Sequence, residues 1–316
     1  MNRNPLSSLY GGVVAGRNAL YNRRWLRVRA LRRPVISVGN LSTGGAGKTP
    51  FVILLGELLK QRGIRFDVLS RGYGRSTRGI LAVDPGGLPR DFGDEPLLIA
   101  RRLQSPVVVG EDRYEAGQFA ESRFGPQIHL LDDGFQHRAL ARDFDIVLVT
   151  PEDTRDRLLP AGRLREPLGA LRRADAVVLA SGASAESFPL DGKTVWRVRR
   201  GIIAQNVPPR PVVFCGIARP RNFLLQLKAA GVDPVAEALF RDHHAYTEKD
   251  VRDLLELAKR SDAGGFVTTE KDAVNLGGYL GALSPLAVVP VKMELADAAN
   301  AVDTMLRVIE DRRRRS

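Results

Sequence analysis

The stretch Val35-Ile-Ser-Val-Gly-Asn-Leu-Ser-Thr-Gly-Gly-Ala-Gly-Lys-Thr-Pro50 constrains this chain more than any other. An apolar, β-branched run enters a glycine-rich turn. The turn ends in Gly47-Lys48-Thr49, and an apolar helical pattern follows from Phe51 to Leu59. Strand, glycine loop and helix start together are the context of a phosphate-binding loop. The expected nucleotide-binding residues are Thr43, Gly44, Gly45, Ala46, Gly47, Lys48, Thr49 and Pro50. Glycines let successive backbone N–H groups converge on phosphate oxygens, and the helix N-terminus adds its dipole. Lys48 is placed to reach the β- and γ-phosphates, and the Thr49 hydroxyl to ligate Mg²⁺. Position 42, where the usual pattern has its first glycine, holds Ser42, so Gly44 and Gly45 are left to supply the flexibility. The competing reading is an ordinary glycine turn capping a helix.

At 316 residues and 44% hydrophobic content the chain can fill two domains of ordinary size. A formal net charge of +12 points to acidic partners. Nucleic acid, an anionic membrane surface and a phosphorylated substrate all fit that charge. Cys215 is the single cysteine, which excludes an internal disulfide and a cysteine-based metal site and suggests a reducing compartment. No apolar run approaches the ~20 residues a spanning helix needs, and a secretory signal is not expected.

Residues 1–34 hold eight arginines (3, 17, 23, 24, 27, 29, 32 and 33) and no acid. Apolar residues recur at Leu6, Tyr10, Val13, Val14, Tyr21, Trp25, Val28 and Leu31, close to helical spacing. A basic amphipathic helix of this kind, with Tyr and Trp at its margins, suits a membrane surface. The alternative is a solvated helix packed on the domain, and Gly11, Gly12 and Gly16 weaken the helix either way. No nucleic-acid-binding signature accompanies the arginines, so nucleic acid is not an expected partner.

From Pro34 the pattern alternates. Strands are expected at 35–39, 66–70, 106–110, 128–132, 145–150 and 176–180, and helices at 49–61, 94–103, 113–123 and 166–173. This predicts an α/β fold with a parallel sheet covered by helices on both faces. Ligands of such sheets sit beyond the carboxyl ends of the strands. Residues 181–210 read as short strands and a linker, and a second α/β unit follows with helices at 220–230, 247–260 and 295–311. The tail Arg312 to Arg315 reads as solvated and frayed. The domain plan is a membrane-surface helix (1–34), a P-loop domain (35–205) and a smaller C-terminal α/β domain (206–316).

Several polar motifs follow the predicted strands. Arg71-Gly-Tyr-Gly-Arg75 offers two arginines for phosphate, or a plain surface turn. In Phe92-Gly-Asp-Glu-Pro96, Asp94 is either a helix N-cap or a base near a phosphate acceptor. Arg113 is a candidate anion ligand or a solvated helix charge. Ile128-His-Leu-Leu-Asp-Asp-Gly-Phe-Gln-His137 ends a strand in Asp132-Asp133, as a Walker B element does, and a divalent cation offsets the repulsion of two adjacent carboxylates. Gln136 and His137 are candidates to orient that loop or touch substrate. Leu159-Pro-Ala-Gly-Arg-Leu-Arg-Glu-Pro167 is an arginine-bearing loop. Asp242, His243 and His244 are a potential metal half-site without an evident third ligand, an acid–base pair, or structural. Lys271 and Asp272 are similar to base-reading loops of some nucleotide-binding proteins, and equally to a helix start.

Seven of these motifs in this order resemble the tetraacyldisaccharide 4'-kinase family of lipid A biosynthesis: residues 38–50, 70–75, 93–96, 131–137, 159–167, 242–244 and 268–272. That family also lacks the first glycine of the usual loop. The resemblance implies an ATP- and Mg²⁺-dependent kinase with a P-loop domain and a smaller C-terminal domain. It implies phosphorylation of the 4' hydroxyl of a lipid-bearing glucosamine disaccharide 1-phosphate, at the cytoplasmic face of the inner membrane, with no obligate protein partner. By the same resemblance Asp94 aligns with the catalytic base, His243 with its dyad partner, Asp132 and Asp133 with the magnesium and phosphate region, and Arg113, Arg165 and Glu166 with positions near the active site. Two other classes compete: a P-loop GTPase or ATPase acting as a binding switch or metallocentre chaperone, and a soluble small-molecule kinase.

Overall fold

The computed structural model describes residues 5–180 and 182–315; Arg3, counted above among the N-terminal arginines, lies outside them. In chain order the elements are α1 (Pro5–Asn22), β1 (Val35–Asn40), α2 (Lys48–Gln61), β2 (Phe66–Ser70), β3 (Leu81–Ala82), α3 (Pro89–Phe92), α4 (Asp94–Leu103), β4 (Val107–Val109), α5 (Arg113–Phe124), β5 (Ile128–Asp132), β6 (Phe144–Val149), β7 (Ala176–Leu179), β8 (Thr194–Ile202), β9 (Pro211–Cys215), α6 (Pro220–Ala229), β10 (Ala236–Leu239), α7 (Glu248–Arg260), β11 (Gly265–Thr269), α8 (Glu270–Leu276), β12 (Leu286–Val289), β13 (Val291–Leu295) and α9 (Ala298–Arg315).

Among the described residues two sheets form. The larger runs β13-β8-β7-β6-β1-β5-β2-β4-β3 and the smaller β10-β9-β11-β12. The interior of the large sheet is parallel, and β1 is buried along its whole length between β5 and β6. The period of two in each strand sends alternate residues to opposite faces. Ile36 and Val38 of β1, Leu130 of β5 and Ile146 and Leu148 of β6 meet Phe51, Leu55 and Leu59 of α2, with α4 and α9 on the same side. Val35, Leu69 and Leu131 instead face Ala116 and Ala120 of α5, and Val147 and Val149 face Ala170 and Leu171. Each fully buried side chain of this size contributes roughly 1.5–3 kcal/mol. Helices therefore cover both faces, as the alternating pattern predicts. The last residues of β1 and β5 are set by register: Val38 lies beside Asp132 and Asn40 beside Leu148.

Several local expectations are corrected. The helix expected at 166–173 is a 3₁₀ helix over residues 168–173, and it ends before Ala174, whose backbone is extended. Residues 194–202 form one nine-residue strand, β8. The N-terminal helix stops at Asn22, and an extended segment follows, held by Arg29 bridging to Leu140 and by buried Leu31. The expected boundary at 206 does not divide the chain into two consecutive lobes. β13 returns to the large sheet and pairs antiparallel with β8, placing Val291 opposite Ile202. α9 then packs Val302, Met305 and Ile309 into the large core. This return covers an edge strand that would otherwise expose its backbone donors and acceptors. Residues 203–290 are thus an insert between two neighbouring strands. The arginine tail is not frayed: Arg312 pairs with Asp175 at 2.6 Å and Arg313 with Asp143 at 2.6 Å.

α1 buries no residue completely. It is docked by polar contacts: the Ser7 hydroxyl donates to the Leu158 carbonyl at 3.0 Å, the Tyr10 hydroxyl to the Arg165 carbonyl at 3.1 Å, and the Asn18 amide to Glu166 Oε2 at 2.7 Å. Leu6, Leu9 and Val13, with Trp25 and Val28 beyond the helix, are left facing solvent. No described helix is long and apolar enough to cross a membrane.

Candidate active site

The carboxyl ends of the parallel strands open into a cavity of about 1010 Å³ between the two lobes. The glycine loop forms its floor. Gly47 is the N-cap of α2 at φ 86°, a left-handed conformation that glycine adopts without a Cβ penalty. Lys48 is the first residue of the helix. Its Nζ donates to Asn40 Oδ1 at 3.0 Å and lies 3.6 Å from Asp133 Oδ1. Thr49 follows, buried against the cavity wall.

Asp133 is gripped by Arg165 through two bonds, at 2.8 and 2.7 Å. Burial opposes its ionisation, but Lys48 and Arg165 hold the carboxyl well below the usual carboxylate range. Asp132, at the end of β5, is fully buried. One oxygen accepts from the Ser70 hydroxyl at 3.1 Å and the other has no partner. Burial, with Glu95 and Asp133 nearby, pushes this carboxyl up to about 7. An orphaned, buried carboxylate oxygen beside a second carboxylate is a donor set that a hard divalent cation completes. No cluster of three or more His, Cys, Asp or Glu side chains able to hold a metal forms among the described residues. The site therefore fits Mg²⁺, which takes one or two carboxylates and draws its other ligands from phosphate and water, better than a metal needing a protein cage.

Asp94, in the first turn of α4, lines the same cavity. The N-cap is Gly93, so Asp94 is not itself the cap, though Oδ1 accepts from the Glu95 N–H at 2.9 Å. His243 comes from the small lobe, on the loop after β10. Its Nδ1 lies 2.9 Å from Asp94 Oδ2 and 3.1 Å from Oδ1. Asn275 adds a bond to Oδ2 at 3.2 Å. Burial resists ionisation of Asp94, but the His243 bond, Lys271 and Asn275 hold the carboxyl below its ordinary range. The same bond pushes the His243 imidazole up. His243 sits at φ 58°, a strained conformation for a non-glycine residue. Its N–H bonds to the Gly216 carbonyl at 3.2 Å. A Cβ on Gly216 would meet the Arg241 carbonyl at 2.9 Å, so only glycine lets this loop close onto β9.

Of the site residues expected from the sequence, the whole 43–50 loop, Arg71, Asp94, Arg113, Asp132, Asp133, Gln136, His137, Arg165 and His243 line this one cavity, whereas Glu166 does not and Arg75 is turned to Glu111 at 2.9 Å instead. Arg113 is buried with its Nε unpartnered, a good anion ligand, and His137 is pushed down to about 4 by burial and by Arg113. Gln136 donates to the Asn40 carbonyl at 3.0 Å and to Glu166 at 3.2 Å. Glu166 is buried outside the cavity, paired with Arg173 at 2.8 Å and joined to α1 through Asn18. The half-site of Asp242, His243 and His244 does not form, because His244 turns away to Asp250 at 3.1 Å. Sequence reasoning passed over Asn40, Arg219 and Arg200. Asn40 joins Lys48 to Arg165. Arg219 and Arg200 reach the loop from the small lobe and from β8.

A sequence model of the tetraacyldisaccharide-1-P 4'-kinase family matches residues 3–310. The chain belongs to that family. A tetraacyldisaccharide 4'-kinase from Koribacter versatilis is 51% identical over 98% of this chain and 99% of its own length. One from Aquifex aeolicus is 40% identical over 87% and 89%. The crystal structure of LpxK from Aquifex aeolicus in complex with ATP superposes with a TM-score of 0.79 at 36% identity, covering 96% of this chain and 98% of that one. The family resemblance read from seven ordered motifs therefore holds, and the binding-switch alternative is not favoured.

Proposed function

We propose that this chain transfers the γ-phosphate of ATP to the 4' hydroxyl of a tetraacyl glucosamine disaccharide 1-phosphate, a step of lipid A biosynthesis. One observation carries the reading: a phosphate-loop lysine with its aspartate pair and an Asp–His pair face the same cavity from two lobes. In the proposed reaction Asp94 takes the proton of the sugar hydroxyl. The oxygen's electron pair forms the new O–P bond, and the bond from the γ-phosphorus to the bridging oxygen breaks towards ADP. Lys48 and the loop amides stabilise charge on the transferring group. Asp132 and Thr49, with Asp133 beside them, are the residues to hold Mg²⁺, which when bound neutralises phosphate charge. Arg71, Arg113, Gln136, His137 and Arg165 are assigned to the acceptor and phosphate side of the cavity. Glu166 is assigned instead to docking α1.

The acceptor is a lipid, and α1 suits it to a surface. The helix exposes Leu6, Leu9 and Val13 next to Arg17, and is wired to the site where Arg17 donates to the Gln136 carbonyl at 3.1 Å. We assign the chain to the cytoplasmic face of the inner membrane as a peripheral protein. The decisive experiment is incubation with ATP, Mg²⁺ and the disaccharide lipid, followed by mass analysis of the product. Phosphate on the distal sugar is the expected result. Nucleotide hydrolysis indifferent to the lipid, or favouring GTP, would return the binding switch to contention.

A further inference from the structure

β8 changes character towards its C-terminal end. Trp196 and Val198 are buried on the face that packs against α2, where Trp196 stacks on Phe51. The period of two puts Arg200 next on that same face, whereas Arg199 turns away to Glu294 at 3.1 Å. Arg200 therefore continues an apolar stripe into the cavity as a charge. Its Nη1 lies 3.9 Å from the point where a Cβ on Gly47 would stand, so the guanidinium overlooks the glycine loop.

A guanidinium has five N–H donors and no acceptor. Those of Arg200 meet no hydrogen-bond or ion-pair partner among the described residues. Burial and the neighbouring Arg219 push its pKa down, and no acid offsets them. Carboxylates that line the cavity are engaged elsewhere: Glu152 with Arg219 at 3.2 Å, Glu270 with Arg102 at 2.6 Å and Asp133 with Arg165 at 2.7 Å. Arg219 also reaches the Thr150 hydroxyl at 3.5 Å, which anchors it against the large lobe and keeps Glu152 from Arg200. An uncompensated cation held beside a second cation is what an anionic ligand relieves.

The sheet order says which anion. Lys48, Thr49 and the Asp132–Asp133 pair serve the γ end of a triphosphate, and Asp132 closes β5 on one side of β1. β8 lies on the other side of β1, beyond β6 and β7. A nucleotide with its γ end at β5 therefore turns its α-phosphate and nucleoside towards β8. Around Arg200 the cavity wall becomes apolar, with Val178, Val198, Val291 and Met293, a surface for a base rather than for more phosphate. Resting on the ATP-dependent kinase reading above, we propose that Arg200 is the ligand of the α-phosphate of ATP, left open for it because Arg219 occupies Glu152.

Calorimetric titration without lipid tests this. ATP with Mg²⁺, and the Rp and Sp diastereomers of α-thio ATP, in which sulfur replaces one α-phosphate oxygen, are titrated into wild type, Arg200→Met and Arg200→Lys. Met suits the apolar stripe, so Arg200→Met should melt no lower than the wild type. It should bind ATP about 10–100-fold more weakly, the range for losing a hydrogen bond to a charged group. The wild type should favour one diastereomer several-fold, and in Arg200→Met that ratio should fall towards one. Arg200→Lys, a point charge without the fork, should recover part of the affinity. Unchanged ATP affinity in Arg200→Met overturns the proposal. Weaker binding with the same diastereomer ratio as the wild type overturns it too, since Arg200 then acts away from the α-phosphate. If Arg200→Met does not fold, the ratio in Arg200→Lys decides. Because no acceptor is present, a wild type that fails to phosphorylate the disaccharide lipid would sink the kinase reading and leave these affinities standing.

Discussion

Asp94 and His243 meet at 2.9 Å, although they stand 149 positions apart and belong to different lobes. Neither is furnished with its partner by local sequence; the site exists only when the lobes are together. Asp94→Ala should therefore lower kcat by about 10²–10⁴-fold while leaving ATP affinity nearly intact, the range for loss of a general base. Steady-state kinetics with both substrates checks it, and a KM effect larger than the kcat effect would reduce Asp94 to a binding residue.

Lys48 is held by Asn40 and faces Asp133. Replacing it with Ala removes the cation aimed at the transferring phosphate, while Arg165 still neutralises Asp133. Turnover should fall by about 10²-fold or more, a loss of roughly 2.7 kcal/mol in transition-state stabilisation. The thermal midpoint should move little, since Lys48 is no part of the hydrophobic core. Near-normal turnover in a folded variant would remove the phosphate-binding role.

Deleting residues 1–34 is a poor test of membrane attachment. It would also remove buried Leu31 and the Arg29 contacts with Asp112 and Leu140. Leu6→Gln, Leu9→Gln and Val13→Gln together leave those intact. The triple variant should sediment less with anionic vesicles, losing up to about 1.5–3 kcal/mol per buried aliphatic side chain. It should keep its activity on detergent-dispersed acceptor. Equal partitioning of variant and parent would argue against α1 as the membrane contact.

Beneath the sheet, His129 is fully buried with Nδ1 2.8 Å from Asp67 and Nε2 3.4 Å from Glu121. Burial opposes its charge, but Asp67 and Glu121 raise it above the ordinary histidine value. Burial raises Asp67 as well. Both shifts have one sign: the folded chain holds its proton more tightly than the unfolded chain. The stabilisation from His129 is thus complete below the unfolded pKa of about 6.5 and fades as pH climbs through the raised folded value. The gap in melting temperature between wild type and His129→Gln should narrow from pH 6 to pH 9. A gap that widens with pH reverses the assignment.

The legible parts of this chain were those in which one segment carries its own explanation. Val35 to Leu59 holds strand, turn and helix start in sequence, and Asp132-Asp133 closes an unbroken apolar strand. Asp94 was ambiguous because a first-turn aspartate serves a helix equally well as a cap; only the imidazole from the other lobe distinguishes it. The stretch around Lys271 was legible as a helix start, which α8 bears out, but what its side chain touches is decided by how α8 packs on α4. The antiparallel return of β13 was invisible because a partner strand 90 residues away leaves no local periodicity. Arg200 and Arg219 sit in stretches without any motif and acquire meaning from apposition alone.

The insertion of residues 203–290 between two bonded neighbours has a mechanical consequence. Ile202 and Val291 are cross-strand partners, and the Ile203 N–H still bonds to the Pro290 carbonyl as the chain leaves and returns. Both chain crossings into the small lobe thus lie side by side at one paired point, and side-chain contacts such as Arg102–Glu270 and Arg219–Glu152 hold the lobe to the large one. Any parting of the lobes would turn about that point, so His243 would return to Asp94 along an arc instead of by diffusion in three dimensions.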